Sequence, residues 1–279
     1  MDTPNQPTPS PVAPAGPEYR SPLPSAPPHL GHALASEWTK FTSLRSTLWT
    51  LASMVVIVVA VGLTTAFQTS AQDYSKVPYT APALVGMMLG QLCIVTLGVL
   101  VITSEYGTGL VRTTFTAAPR RSRVLTAKYL VFSSAAFTLC LVTVTFVTLA
   151  TQLIVPNAPG SHRAGDWMLS ALGGSLYVTL LGVLGLALGT MLRHSAGTLT
   201  TMMGVLLGPF MMSAMLMPWT ATQPIGEAIF RFSPPVALSL LFGMPVSGSG
   251  SGLGQLLLLV VLCGAAVTAS YVVLRRRDV

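Results

Sequence analysis

The chain has 279 residues, of which 51% are hydrophobic and only 8% charged, with a mean hydropathy of +0.67 and a net charge of +7. Soluble domains average about 25% charged residues, so this chain has too few polar groups to cover a globular surface and is expected in lipid. Its basic residues lie at the ends of apolar runs and form no stripe, which argues against a nucleic-acid partner.

Residues 1–29 read as a disordered, Pro-rich cytoplasmic tail. Ten of the 21 prolines fall within the first 28 residues, with too little apolar mass between them for a core. The tail lacks the basic start, apolar stretch and cleavage site of a secretory leader, so the N-terminus is expected inside the cell. Residues 30–46 change character. Leu30, Leu34, Trp38, Phe41 and Leu44 recur at helical spacing, while Glu37, Lys40, Ser43 and Arg45 are read as lying off that face. The expectation is an amphipathic interfacial helix with Trp38 as its anchor in the headgroup layer.

Six apolar runs follow, at about 48–67, 83–102, 129–153, 167–192, 199–217 and 255–274. Each is near the ~20 residues that cross ~30 Å of hydrocarbon. If the tail is cytoplasmic, twelve of the fifteen Lys and Arg residues fall on the cytoplasmic side, leaving Lys76, Arg163 and Arg231 outside. The positive-inside rule then places both termini in the cytoplasm. The predicted fold is therefore an all-α membrane protein with six transmembrane helices, both termini cytoplasmic, preceded by the interfacial helix. A polar coupling segment at 104–128 joins spans two and three. It holds Glu105 and five basic residues: Arg112, Arg120, Arg121, Arg123 and Lys128. The corner between spans four and five is a tight turn at Arg193, His194 and Ser195.

The last outer loop, 218–254, is too apolar for a plain connector. A short helix around Glu227 and Arg231 is expected, with those two paired at i,i+4. Ser233-Pro234 supplies a cap and a first-turn proline for a second helix through Leu241. Both read as outer-leaflet helices dipping toward the membrane, followed by a Gly/Ser hinge.

Several chemistries are missing. None of the three lysines (Lys40, Lys76, Lys128) follows a glycine, so the phosphate loop of a nucleotide-hydrolysing site is absent. No acid or base sits in the middle of a span, which speaks against proton- or sodium-coupled transport. Gly173-Gly174-Ser175 with His194 supplies the residue types of an intramembrane serine protease. However, Leu176 stands where a small residue is required, and Ser175 is about five turns from His194. Cys93, Cys140 and Cys263 fall in separate apolar runs and read as packing residues. No metal site and no bound cofactor are expected. The methionines around Met202–Met217 read as lipid-facing and core packing. Gly86/Gly90, Gly185/Gly189 and Gly204/Gly208 permit close helix approach without specifying an interface.

Two stretches carry a family likeness. One is Ser36-Glu37-Trp38-Thr39-Lys40 with Leu44-Arg45-Ser46-Thr47-Leu48-Trp49-Thr50. The other runs from Gly98 through Thr103-Ser104-Glu105-Tyr106-Gly107-Thr108-Gly109 to Val111-Arg112-Thr113-Thr114 and Pro119-Arg120-Arg121. Through them the chain resembles the membrane-spanning permease subunits of type-2 ATP-binding-cassette exporters, in particular the stand-alone actinobacterial kind. The resemblance covers about residues 30–279. It implies a bacterial plasma-membrane exporter with no ATPase motif of its own. Two permease chains, identical or paired homologues, would form the pathway, and ATP would bind to separate ATPase subunits beneath. It further implies a coupling helix at about 108–116. Thr108 would be its N-cap, and Leu110, Val111, Thr114 and Phe115 the face that seats on the ATPase. Glu105 would stand at the hinge, within reach of Arg112 or of a cation on the ATPase. Glu37, Trp38, Phe41 and Arg45 belong to the interfacial helix. The alternatives are a secondary transporter or channel, and a non-transport permease-like scaffold or sensor.

Phe115→Asp tests the coupling assignment, because it places a charge on the one apolar face that the cytoplasmic segment offers. The variant is expected to insert normally but to lose both ATPase co-purification and ATP-dependent flux. Survival of both would make the assignment wrong.

Overall fold

The computed structural model describes residues 29–69, 78–108, 121–155, 167–244, 246 and 250–276. These residues form helices and connectors, with no strand among them. The elements are α1 (Leu30–Ser43), α2 (Arg45–Thr69), α3 (Ala81–Thr108), α4 (Arg121–Ile154), a π-helical turn (Leu169–Gly174) running into α5 (Ser175–Leu192), α6 (Ser195–Leu216), α7 (Gln223–Phe232), α8 (Pro234–Leu241) and α9 (Leu253–Arg276).

Six of these helices are long and apolar enough to cross a membrane: α2, α3, α4, α5 with its π-turn, α6 and α9. The chain is a multi-pass membrane protein. Its six spans coincide with the six predicted runs, but two ends differ. The second span continues past residue 102 to the end of α3, and the third begins at Arg121, well before Tyr129. Polar residues need not end a helix. They end only its passage through hydrocarbon, so Ser104, Glu105 and Lys128 prolong two spans beyond the apolar run.

The span containing α5 is the centre of the bundle, and α3 packs along it. Glycines make this approach possible. A Cβ on Gly98 would collide with the Gly182 carbonyl, and one on Gly182 with the Phe132 ring. Gly185 and Gly189 continue the same face against Val99 and Ile102. On the other side of α3, Gly86 and Gly90 receive Val58 of α2. Backbones that meet this closely gain dispersion contact where no hydrophobic driving force exists between helices in lipid. Of the three expected glycine pairs, two are used inside the chain. Gly204 and Gly208 of α6 face open space. α2, α6 and α9 form the periphery and expose apolar side chains such as Trp49, Val56, Met215 and Val261.

The corner between α5 and α6 is as tight as expected. Arg193 takes a left-handed conformation, φ 54°, and His194 caps α6 by accepting the Gly197 amide at Nδ1, 2.9 Å. The two short helices at the other end differ in detail from the expectation. Glu227 accepts a hydrogen bond from Gln223 (2.9 Å), one turn earlier, and among the described residues it makes no ion pair with Arg231. Ser233 does occupy the cap position before Pro234, but its hydroxyl donates back to the Phe230 carbonyl at 2.7 Å. Most side chains of α8 are buried against the bundle.

Gly98→Ala is expected to destabilise the protein by about 1–3 kcal/mol through overpacking against backbone that cannot yield. Gly204→Ala, which meets no atom within 4 Å, is expected to be neutral or mildly stabilising, since alanine is the better helix former. Thermal unfolding in one detergent compares the two directly.

Candidate functional site

Four charged side chains converge where α1 meets the ends of α3 and α4. Glu37 and Lys40 come from α1, Glu105 from the last turn of α3, and Lys128 from the second turn of α4. The Lys128 ammonium lies 2.7 Å from Glu37 Oε2 and 2.8 Å from Glu105 Oε1. Lys40 lies 2.9 Å from Glu37 Oε1 and 3.5 Å from Glu105 Oε1. Among the described residues, positive and negative groups alternate around a ring of two lysines and two glutamates. The Lys128 side chain is only 4% exposed and that of Glu37 6%, whereas Lys40 keeps 36% and forms the open side.

The local sequence explains the placement. Leu34, Glu37 and Phe41 fall at i, i+3 and i+7, so Glu37 lies within the packed stripe of α1. The expectation that Glu37 lies off the buried face is therefore corrected. Trp38 and Leu44, expected on the same face as Phe41, are exposed instead. Arg45 is also exposed, at the start of α2.

Magnitudes decide what the ring does. At an effective dielectric near 20, each contact at about 4 Å is worth roughly 4 kcal/mol. Desolvating each ion costs several kcal/mol. The two nearly cancel, so the ring adds little net stability while penalising any arrangement that leaves one member unpaired. It acts chiefly to fix geometry. Burial pushes the Glu37 carboxyl up, but the charge and hydrogen bond of Lys128, with help from Lys40, hold it below its ordinary value. Burial pushes Lys40 down, but the hydrogen bond to Glu37 and the charges of Glu105 and Glu37 raise it above the usual lysine value.

A cavity of about 40 Å³ opens beside the ring, lined by its four members with Phe41, Thr47 and Ser104. It has room for water but is far below the ~300 Å³ of a small-molecule site. The ring is therefore a joint and not a substrate pocket. The end of α3 is held on a second side as well. The Arg193 guanidinium lies 5.2 Å from the centre of the Tyr106 ring, next to Glu105, a cation–π distance.

Of the residues expected at the site, Glu105, Glu37 and Phe41 meet here. Among the described residues, Glu105 faces Lys128 and Lys40. Thr108 is the last residue of α3, and Leu110, Val111, Arg112, Thr114 and Phe115 lie outside the described residues. Lys40 and Lys128 were not expected in the site. Lys40 reads as a polar-face residue and Lys128 as a topology charge. The available signal was scarcity, since these are two of only three lysines in the chain.

Lys128→Met is expected to cost about 3–5 kcal/mol, because it leaves buried carboxylates short of their partner. Adding Glu37→Gln should recover part of the loss. A double-mutant cycle on thermal unfolding measures the coupling. For pH, the lowered Glu37 contributes fully above its ordinary value of 4.5, and the contribution is lost as pH falls through the folded value. The raised Lys40 contributes fully below 10.5, and the contribution is lost as pH rises through its folded value. Unfolding temperature should thus be level between about pH 5 and 10 and fall on both sides, and Glu37→Gln should weaken the acid limb.

Compared with protein-family models and with curated proteins, the chain matches none.

Proposed function

We propose that this chain is the membrane-spanning permease subunit of an ATP-driven exporter, moved by a separate ATPase subunit. One observation carries the reading. The ionic ring joins α1 to the two helix ends, at Glu105 and Lys128, that border the segment 109–120. A force applied to that segment reaches both spans and the interfacial helix through one joint. The charge asymmetry supports a cytoplasmic position for this end of the bundle, where an ATPase would act.

The mechanics follow from the packing. The ATPase engages 109–120 and displaces the ends of α3 and α4. Because α3 meets α5 at backbone level, at Gly98 and Gly182, the two helices move as a unit. The ring keeps α1 in step. A second permease chain, the same or a homologue, completes the pathway against the peripheral helices. The chain itself binds no ATP and performs no covalent chemistry. A secondary transporter is disfavoured by the empty mid-span positions, which carry no ionisable carboxylate or base.

The tagged chain purified from native membranes is expected to bring down a soluble ATPase carrying a glycine-rich phosphate loop. Proteoliposomes holding both should show ATP-dependent flux, and the chain alone none. Lys128→Met should keep the ATPase bound yet lower flux per ATP hydrolysed at least about tenfold, a change of ~1.4 kcal/mol or more in coupling. Flux through the chain alone, driven by an ion gradient without ATP, would sink the proposal.

A further inference from the structure

The corner between α5 and α6 holds a residue that its backbone does not favour. Arg193 ends α5 in a left-handed conformation, φ 54° and ψ 20°, with its amide on the Gly189 carbonyl at 2.9 Å. Glycine fills this place after a helix most readily, because a Cβ is strained there. The side chain shows what the arginine adds. Its guanidinium lies 5.2 Å from the centre of the Tyr106 ring, in the last turn of α3, and its Nε is buried. An arginine that only marked topology would extend into water or headgroups. This one lies against a ring, in a contact that strengthens where water is withdrawn.

The contact is not needed to hold α5. One turn earlier, Gly189 already meets α3 at Ile102 and Thr103 so closely that a Cβ would collide. What remains open is the direction in which the chain leaves α5. Arg193 and His194 alone separate α5 from α6, so their backbone dihedrals set the angle between the two helices. His194 is bound into α6. It accepts the Gly197 amide at Nδ1 and the Thr198 hydroxyl at its carbonyl, 2.8 Å. Arg193 is the joint left over.

α6 depends on that joint. It is the least buried of the six spans, and its buried residues, Thr198, Met202, Leu206 and Ser213, fall on one narrow stripe. A helix seated along one line can tilt across it. At the far end α7 folds back on α6 itself, with Gly226 against Met217 and the Phe230 ring 6.0 Å from that of Phe210, and so moves with it.

We propose that Arg193 is a positioning residue: resting on Tyr106, it holds the corner in its left-handed form and thereby fixes the direction of α6 relative to α3. A glycine would adopt the same form but would leave the corner free to adopt others. On the permease reading, displacement of the end of α3 reaches α6 by this route. The restraint itself rests on contacts within this chain alone.

The test is the spread of distances between spin labels on Val56→Cys of α2 and Leu207→Cys of α6, both exposed. It uses the whole chain in lipid nanodiscs, with the native cysteines Cys93, Cys140 and Cys263 replaced by alanine. α2 is packed on α3 at Gly86 and Gly90 and so reports the frame of α3. Arg193→Gly suits the left-handed backbone and removes the side-chain contact. It is expected to widen the distribution at least about twofold. Tyr106→Leu should widen it equally, and the double variant no further than either alone. Tyr106→Phe keeps the ring and should keep the parent width. If Arg193 only ended the helix, glycine would serve as well and the width would stay as in the parent. That result overturns the proposal, as does additive widening in the double variant, or Tyr106→Phe behaving like Tyr106→Leu. If Arg193→Gly fails to insert, Arg193→Asn, which also tolerates the left-handed region, takes its place under the same outcomes. No ATPase is present in this assay, so its outcome is independent of whether the transport reading stands.

Discussion

Lys128 is buried with its ammonium between two carboxylates, on a helix otherwise destined for lipid. That single ion constrains much around it. An unpaired ammonium at this depth is not tolerated, so Glu105 must extend α3 beyond the apolar run to reach it. Glu37 must turn inward from α1 for the same reason. Lys40 then closes the ring, contacting both carboxylates. The result is a rigid junction of three helices held by directional contacts, at a membrane edge where water competes for every polar group. Such a junction tolerates few alternative arrangements.

The rest of the bundle relies on a different principle. In lipid, helices gain nothing from hiding apolar surface, so close contact must come from shape. The glycine face of α5 and the glycine pair of α3 supply that shape and set how nearly the backbones approach. The two ends of the molecule therefore differ in kind: one is fixed by charge, the other by the fit of Phe242 and Leu241 against a widened helical turn. Between them, α3 and α5 form a stiff connecting pair.

Much of this was legible from composition and period. Six apolar runs, a helix before the first, a corner at Arg193 and two short helices after Pro224 all follow from local pattern, which depends on neighbours in sequence. The ring was not legible, because it depends on neighbours in space. Glu37 was read by its charge as solvent-facing, although its spacing from Leu34 and Phe41 placed it in the packed stripe. Lys128 looked like any basic residue flanking a span. The π-turn left no trace in periodicity, since one extra residue in a run of apolar and small side chains changes no pattern. Gly173 and Gly174 were visible, but only Leu241 and Phe242, far along the chain, give them a use.

The contact between α3 and α5 has a consequence for biogenesis. Contacts at Gly98 with Gly182 and at Ile102 with Gly189 ascend together, so the second and fourth spans run parallel and the third intervenes in sequence. Neighbouring spans can pair as soon as both are in the bilayer, but this central pair cannot form until the fourth has been threaded. Until then the notch at Gly98 has only lipid to fill it, although Lys128 already has Glu37 and Glu105 as partners. The central pair is thus among the last contacts to assemble during synthesis, and chains shortened before the fourth span should keep the packing of α2 on α3 but lack the contact of α3 with α5.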